Sequence, residues 1–382
     1  MREGVRAAPE VLEAFAAVPR HLFLPGVELA AVYADDAVVT HSEAEVPTSS
    51  SSQPSLMARM LDLLGVCRGD RVLEVGAGTG YNAALLAHMG AAVTTLDNQP
   101  DVAAAARGHL EDAGFTLAED PPEPGEVLVL AADGAAPPGG PYDRIIVTAA
   151  LWALPAALVA ALADGGTLVA PLRVNGVEAV FALRREGTAL RGQGALPCGF
   201  MPLRGGGDER PWRWPLGRGG LATADADLGD EGRGNLDRLL ASGGRDPGDP
   251  FELQEDESTH DALLWLALQG DPLLTLVEWP EDGGPPGWHI ALDVLPASLL
   301  AIRLGGGGAS VDGVTLYGGE AALRTCKRGI AAWRAAGSPG PDHLGLTVEP
   351  RTGREDWSVP YPRGDGASTL VRGAHRWTLR YA

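Results

Sequence analysis

Along the first half of the chain, short runs of apolar, β-branched residues alternate with amphipathic stretches of helical spacing. Residues 9–18, PEVLEAFAAV, carry apolar side chains at helical intervals, and Pro19 stops that helix. A short lead-in loop follows. After a serine run at 49–52, the stretch QPSLMARMLDLLG predicts an amphipathic helix closed by Gly65. RVLEVG, AAVTTLD, EVLVLAAD, YDRIIVTAA, GTLVAPL and VEAVFALRR then predict strands, and YNAALLAHMG, DVAAAARGHLEDAG and PAALVAALADGG predict the helices among them. Strands alternating with helices predict a parallel sheet covered on both faces, an α/β doubly wound domain.

The pattern changes near residue 205. GGGDERPWRWPLGRGG and the Gly/Asp/Glu-rich stretch after it predict an inter-domain connection over 206–257, partly ordered by its two tryptophans. Beyond it Ser258 is placed to cap a helix THDALLWLALQG. LLTLVEW, WHIALDV, LLAIRL and GVTLYG predict strands, EAALRTCKRGIAAWRAAG a helix, and HLGLTVEP, WSVPY and RWTLRYA closing strands. The expected organisation is therefore a doubly wound domain over 1–205 and a second, smaller α+β domain over 258–382.

Composition limits the partners. A formal net charge of −20 and the lack of any Lys/Arg stripe argue against nucleic acid, whose phosphates require a basic footprint. No apolar run reaches the roughly 18 residues of a membrane span, and MREGVRAAPEVLEAF lacks a signal-peptide core, so a cytoplasmic location away from membranes is expected. Cys67, Cys198 and Cys326 stand far apart with no His or second Cys at ligand spacing, so no metal site is expected.

The sharpest motif is Glu74-Val-Gly76-Ala-Gly78-Thr-Gly80, directly after the strand RVL and opening a helix. Glycines at alternate positions let the backbone turn tightly and approach a ligand closely, with helix amides facing it. A dinucleotide fingerprint would read G-x-G-x-x-G. Here the third glycine comes one residue early, and this acidic-x-Gly-x-Gly-x-Gly form resembles motif I of class I (Rossmann-like) methyltransferases. That resemblance implies S-adenosylmethionine as cofactor, with S-adenosylhomocysteine as product. Asp97 ends the second strand, where a carboxylate can accept from both ribose hydroxyls. The resemblance places Asp133-Gly134, after the third strand, against the adenine amino group.

Flanking segments narrow the family. VLEAFAAVPRHLFLPG, Tyr33-Ala-Asp35, Ser52-Gln-Pro54, YDRIIVTAA and FMPLRG resemble, in order, the landmarks of protein-L-isoaspartate O-methyltransferases over about residues 1–205. In that family the acceptor loop reads approximately Gly-Gln-Thr-Ile-Ser-x-Pro, with Thr and Ser hydroxyls near the substrate carboxylate. Matching on Pro54 puts Ser52 on the serine and Ser50 on the threonine. These two are the expected catalytic groups, with Ser49, Ser51 and Gln53 expected to bind substrate; Ser52 is also placed to cap the following helix.

A carboxylate of ordinary pKa near ~4 is ionised at neutral pH and needs no strong base to attack a sulfonium methyl. Positioning is expected to do most of the work. The rewritten serine loop and the added domain are similar to isoaspartyl-methyltransferase homologues that tailor ribosomally made, post-translationally modified peptides such as lanthipeptides and graspetides. Their resemblance implies methylation of a normal aspartate in a constrained peptide, followed by closure to a succinimide that persists or hydrolyses to isoaspartate. A general isoaspartyl repair enzyme with an appended domain, and a non-catalytic peptide-binding module on the same fold, are the alternatives.

The second domain would then recognise the peptide through aromatic anchors. Trp265, Trp279, Trp288, Trp333, Trp357 and Trp377 lie in it, and Trp212 and Trp214 precede it. Trp212 and Trp214, in a polar Gly/Arg segment, are the tryptophans expected to lie outside the core. His21 and His41 flank the acceptor segment and carry no assigned role.

Overall fold

Pro9 opens helix α1 (Pro9–Ala17), in the first turn where its missing N–H costs no hydrogen bond. A 3-10 turn at Arg20–Phe23 leads to α2 (Leu29–Val32), where the Glu28 carboxylate accepts from the Ala30 and Ala31 amides. The computed structural model describes residues 7–43, 46–205, 212–216, 220–225, 227–254, 257–269, 273–278, 287–294, 297–305, 310–353, 361–362 and 367–381. The chain divides into two units. One comprises Met1–Pro171, Val180–Gly192 and Phe200–Asp208; the other comprises Leu172–Ala179, Gln193–Gly199 and Glu209–Ala382.

In the first unit the lead-in expected as a loop is a two-stranded antiparallel ribbon, β1 (Val38–Glu43) and β2 (Val46–Ser51). Serine has no strong strand preference, so the pairing with β1 decides the conformation. Helix α3 (Pro54–Leu64) ends at Gly65, whose φ of 60° gives the left-handed closure read from the sequence. Then follow β3 (Arg71–Val75), α4 (Tyr81–His88), β4 (Ala92–Asp97), α5 (Pro100–Asp112), the short β5 (Thr116–Leu117), β6 (Glu126–Ala131), β7 (Tyr142–Val147), α6 (Ala156–Ala161), β8 (Leu162–Val174), β9 (Val177–Glu186) and β10 (Ala189–Pro197). Helix α6 is shorter than its sequence suggests, because the chain enters β8 at Leu162 and carries the Gly-rich segment as strand.

The strand order is β10-β9-β8-β7-β3-β4-β6-β5, with parallel pairing from β8 through β5. The fold is the expected class I methyltransferase sheet. All six residues of β4 are buried, as a strand covered on both faces requires. Val72, Leu73, Leu85, Leu86, Val93 and Ile145 form part of the core, each worth about 1.5–3 kcal/mol for a fully buried side chain. Winding begins at β3, goes one way to β4 and β6, and then crosses to β7 on the other side.

The second unit differs from the expected boundaries. Residues read as a connection supply β11 (Trp212–Leu216), β12 (Gly220–Ala224) and α7 (Gly229–Ala241). Next come α8 (Thr259–Ala267), β13 (Leu273–Glu278), β14 (Gly287–Val294), β15 (Ser298–Gly305), β16 (Ser310–Gly318), α9 (Ala321–Ala335), β17 (Leu344–Pro350), β18 (Tyr361–Pro362), β19 (Ala367–Arg372) and β20 (His375–Tyr381). Strands β11 to β16 pair antiparallel in sequence order. Ser258 caps α8, its Oγ accepting from Asp261 N at 3.3 Å. The Gly- and Asp-rich composition had suggested a linker, but alternate apolar residues of β11 and β12 and a leucine face of α7 meet β13 and β15 in one core. Trp214 belongs to that core, whereas Trp212 is 49% exposed. Trp333 and Trp377 are buried, and half-buried Trp265 stacks on Tyr381 with ring centroids 5.1 Å apart. Trp279, Trp357 and the Trp288 side chain lie outside the described residues. Among the described residues, no helix is long and apolar enough to cross a membrane.

Candidate active site

Strand β3 delivers the chain into a turn at Gly76, Ala77, Gly78, Thr79 and Gly80, from which α4 starts. Gly76, Gly78 and Gly80 all have left-handed φ, at 101°, 52° and 84°, which L side chains rarely adopt. At Gly76 a second constraint applies: a Cβ there would stand 2.4 Å from Thr148 Oγ1. Thr148 follows β7 directly. Its hydroxyl donates to the Gly76 carbonyl at 2.8 Å, and its amide donates to the Val75 carbonyl at 2.9 Å. The glycine turn is thus stitched to β7 where the winding of the sheet reverses, the crevice in which open α/β sheets bind ligands.

The acidic residues differ in their surroundings. Glu74 is fully buried; Asn82 Nδ2 donates to its Oε1 at 2.8 Å and Thr95 Oγ1 to its Oε2 at 2.6 Å. Burial pushes this carboxyl up to about 7, against those two hydrogen bonds and with nearby Asp97 adding to the rise. Asp97, at the end of β4, accepts from Gln99 N at Oδ1 and from Gly78 N at Oδ2, both at 3.1 Å. Its carboxyl is also raised by burial, which outweighs the two amides.

Asp133 lies two residues past Ala131, the register partner of Asp97, and accepts from Ala135 N at 2.9 Å. Two acids therefore stand at the carboxyl ends of adjacent parallel strands. Gly134 lets this loop cross β3, since a Cβ there would stand 2.2 Å from Val75 Cγ1. The FMPLRG segment returns beside it. Leu203 N donates to Ala150 O at 2.9 Å, and a Cβ on Gly205 would meet Asp133 Oδ1 at 2.5 Å.

The serine run occupies β2 and its end, with Ser51, Ser50 and Ser49 opposite Val38, Val39 and His41. Period-two alternation divides it. Ser49 and Ser51 are buried at 8% and 4% exposure, while Ser50 and Ser52 are half-buried. The Ser51 hydroxyl accepts from Arg20 at 3.2 Å, and the Ser49 hydroxyl faces Gly78. The hydroxyls of Ser50 and Ser52, the two expected catalytic groups, have no hydrogen-bond partner among the described residues. Gln53, also expected at the acceptor, donates through Nε2 to Asp35 Oδ2 at 3.2 Å.

Ser52 does not cap α3. Gln53 holds the N-cap position without a side-chain bond, and Asp35 Oδ1 accepts from Ser55 N at 2.9 Å in its place. Ser50, Ser51 and Ser52 line one cleft with Glu74, Gly76 and Gly78. Asp97, Asp133 and Gly134 lie outside that immediate lining.

Three groups escaped the sequence reading because each acts on backbone far along the chain. Arg20, 2% exposed, donates to the carbonyls of Val32 at 2.8 Å and Ser52 at 2.9 Å, and to Ser51 O at 3.4 Å. Burial lowers its guanidinium pKa from the ordinary value, while nearby Tyr81, Asp35 and Tyr33 raise it. Asp35 and Thr148 are the other two. The resemblance had matched the segments that contain all three, which was the available signal.

Comparison with known proteins adds the last observation. The family model described as protein-L-isoaspartate(D-aspartate) O-methyltransferase matches residues 1–208. A protein-L-isoaspartate O-methyltransferase of Methanoregula boonei is 40% identical over 204 residues, covering 53% of this chain and 87% of that protein. One from Koribacter versatilis is 36% identical over 214 residues, covering 56% and 90%. A solved protein-L-isoaspartate O-methyltransferase superposes with a TM-score of 0.48 at 22% identity, covering 89% of this chain and 92% of that one.

Proposed function

The chain belongs to the protein-L-isoaspartate(D-aspartate) O-methyltransferase family, and from that premise we propose that Ser50 and Ser52 present an isoaspartyl or aspartyl side-chain carboxylate to the methyl donor. It is an S-adenosylmethionine-dependent carboxyl methyltransferase. The observation that supports the acceptor assignment is the shared cleft, lined by Ser50 and Ser52 together with Gly76 and Gly78 of the glycine turn.

The residues present fit the cofactor. Gly76 and Gly78 would receive its amino-acid end, because their left-handed backbone leaves no side chain between ligand and amides. Asp97 would take the ribose hydroxyls: each of its oxygens already accepts one amide, and a carboxylate has acceptor capacity for more. Asp133 and Gly134 would border the adenine. Glu74, enclosed by Asn82 and Thr95, would act by fixing the turn and not by touching the ligand. When bound, S-adenosylmethionine supplies an electrophilic methyl on a sulfonium, which passes to the carboxylate oxygen as the C–S bond breaks.

The protein need move no proton, because the acceptor is already ionised at neutral pH. Ser50 and Ser52 each offer one O–H to that carboxylate, a charge-assisted bond worth about 1.5–3 kcal/mol. Orientation of the attacking oxygen then supplies the rate enhancement. Arg20 holds the backbone of Ser51 and Ser52 and so sets where these hydroxyls stand.

General isoaspartyl repair is the first reading. The second, methylation of a normal aspartate in a constrained peptide that leads to a succinimide, is favoured by the ribbon β1–β2 around the serine run together with a second unit that has its own core. Mass spectrometry separates them. Each of three peptides is incubated with protein and cofactor: linear isoaspartyl, linear aspartyl and cyclised aspartyl. Methylation of the linear isoaspartyl peptide alone supports repair. Methyl gain or water loss on the cyclised aspartyl peptide alone supports the second reading, and no modification of any of them refutes the acceptor assignment.

A further inference from the structure

One side chain of the ribbon has no task in this scheme. His41, on β1, bridges two elements. Its Nδ1 lies 2.6 Å from Thr48 Oγ1 on β2, and its Nε2 lies 2.9 Å from Asp101 Oδ2 in the first turn of α5. The segment before α5 reaches the same threonine, with Gln99 Nε2 donating to the Thr48 carbonyl at 3.4 Å. Gln99 N in turn donates to Asp97 Oδ1. Thr48 is thus held at its carbonyl by Gln99 of the turn that begins at Asp97, and at its hydroxyl by His41, which reaches Asp101 just beyond that turn. Thr48 stands on β2 where the β1–β2 register shifts, two residues before Ser50. The hold on Thr48 therefore fixes the end of the paired serine segment Ser49–Ser51.

We propose that His41 is a positioning residue of the methyl-transfer site: through Thr48 and Asp101 it ties the serine strand to the Asp97 turn, so that cofactor binding at Asp97 orders the strand carrying Ser50 and Ser52. The inference rests on the roles assigned above to Asp97 and the two serines.

Imidazole suits this bridge because its two nitrogens point in divergent directions. The neutral ring accepts from the Thr48 hydroxyl at Nδ1 and donates from Nε2 to Asp101; the protonated ring donates to both. The bridge therefore holds in either protonation state. With side-chain exposures of 30% and 65%, the His41–Asp101 pair is screened by solvent and adds little to global stability. Its loss is read in the strand and in turnover, not in unfolding.

The test uses three variants of the full chain. His41→Asn keeps an amide, with its acceptor and donor, near the Nδ1 position, His41→Gln keeps one near Nε2, and His41→Ala removes both. Hydrogen–deuterium exchange of the amides of residues 46 and 48–52 is measured with and without S-adenosylmethionine, beside kcat and KM on an isoaspartyl peptide. In the wild type the cofactor slows exchange of these amides by about tenfold. In all three variants that slowing falls below about twofold and kcat drops about tenfold, with the KM for cofactor moving less than about threefold.

Wild-type exchange that ignores the cofactor overturns the proposal. So does a His41→Asn or His41→Gln variant that behaves as wild type, since a bridge between the two elements would then not be needed. If cofactor protects the strand in the wild type and not in the variants while no acceptor is methylated, the coupling stands and the acceptor assignment fails.

Discussion

Replacing Arg20 tests how far the acceptor strand depends on one buried cation. The guanidinium, 2% exposed, makes its two shortest bonds to the carbonyls of Val32 and Ser52, at 2.8 and 2.9 Å, and adds Ser51 Oγ at 3.2 Å. Hydrogen bonds from a charged donor contribute about 1.5–3 kcal/mol each, so the two short ones together supply on the order of 3–6 kcal/mol. Removing the side chain also ends the cost of keeping a cation buried, the same desolvation that lowers its pKa. The expected net loss for Arg20→Ala is about 3 kcal/mol, measured by urea unfolding.

Arg20→Lys separates charge from geometry, because a single ammonium cannot span carbonyls that the planar fork reaches together. For Arg20→Lys, kcat/KM toward an isoaspartyl peptide should fall about 100-fold, near 2.7 kcal/mol of transition-state stabilisation. Its calorimetric affinity for S-adenosylmethionine should stay within about threefold. A lysine variant with wild-type kcat/KM and unchanged unfolding would refute the clamp.

Three further outcomes follow from the site. Gly76→Ala forces a Cβ to within 2.4 Å of Thr148 Oγ1 at a φ of 101°, so it should abolish detectable cofactor binding in calorimetry; adding Thr148→Ala should relieve the clash but not the backbone strain. Asp97→Ala should weaken cofactor binding, whereas Ser52→Ala should leave it intact and slow methyl transfer about tenfold or more; equal loss of affinity in both would mean that the serine strand only supports the fold. Glu74 sets a pH dependence: its carboxyl, raised to about 7 in the folded protein, stays protonated there while the unfolded chain ionises from about 4.5 upward. Its stabilising contribution is complete below that lower value and is lost as pH rises through about 7, a decline on the order of 3 kcal/mol. Urea unfolding from pH 4.5 to 8 should show this decline in the wild type and lose it in Glu74→Gln, and parallel curves would refute the assignment.

The parts of the fold legible in the sequence were those in which local pattern and tertiary environment agree. The glycine turn was readable because an apolar strand precedes it and a helix follows, and its three left-handed glycines have no substitute. Four consecutive serines carry no periodic signal, so nothing local marked residues 49–51 as a strand; pairing with Val38, Val39 and His41 does. Arg20 is adjacent in sequence to none of its partners, and its nearest acceptor lies 12 residues away. Short apolar runs inside a Gly/Asp-rich background hid β11 and β12; β11 pairs with β12, and the register of β12 with β13 comes from residues some fifty positions later.

The ribbon also shows how this segment takes up a change in length. Its register shifts twice beside His41, and Ser49 and Pro47, not Thr48, stand opposite His41 and Ser42. A bulge absorbs an extra residue locally and spares the pairing beyond it. Ser50 and Ser51 keep their places opposite Val39 and Val38, next to the Arg20 bonds that hold Ser51 and Ser52. Drift in length is thereby channelled to the His41–Thr48 end, and the acceptor end keeps its faces.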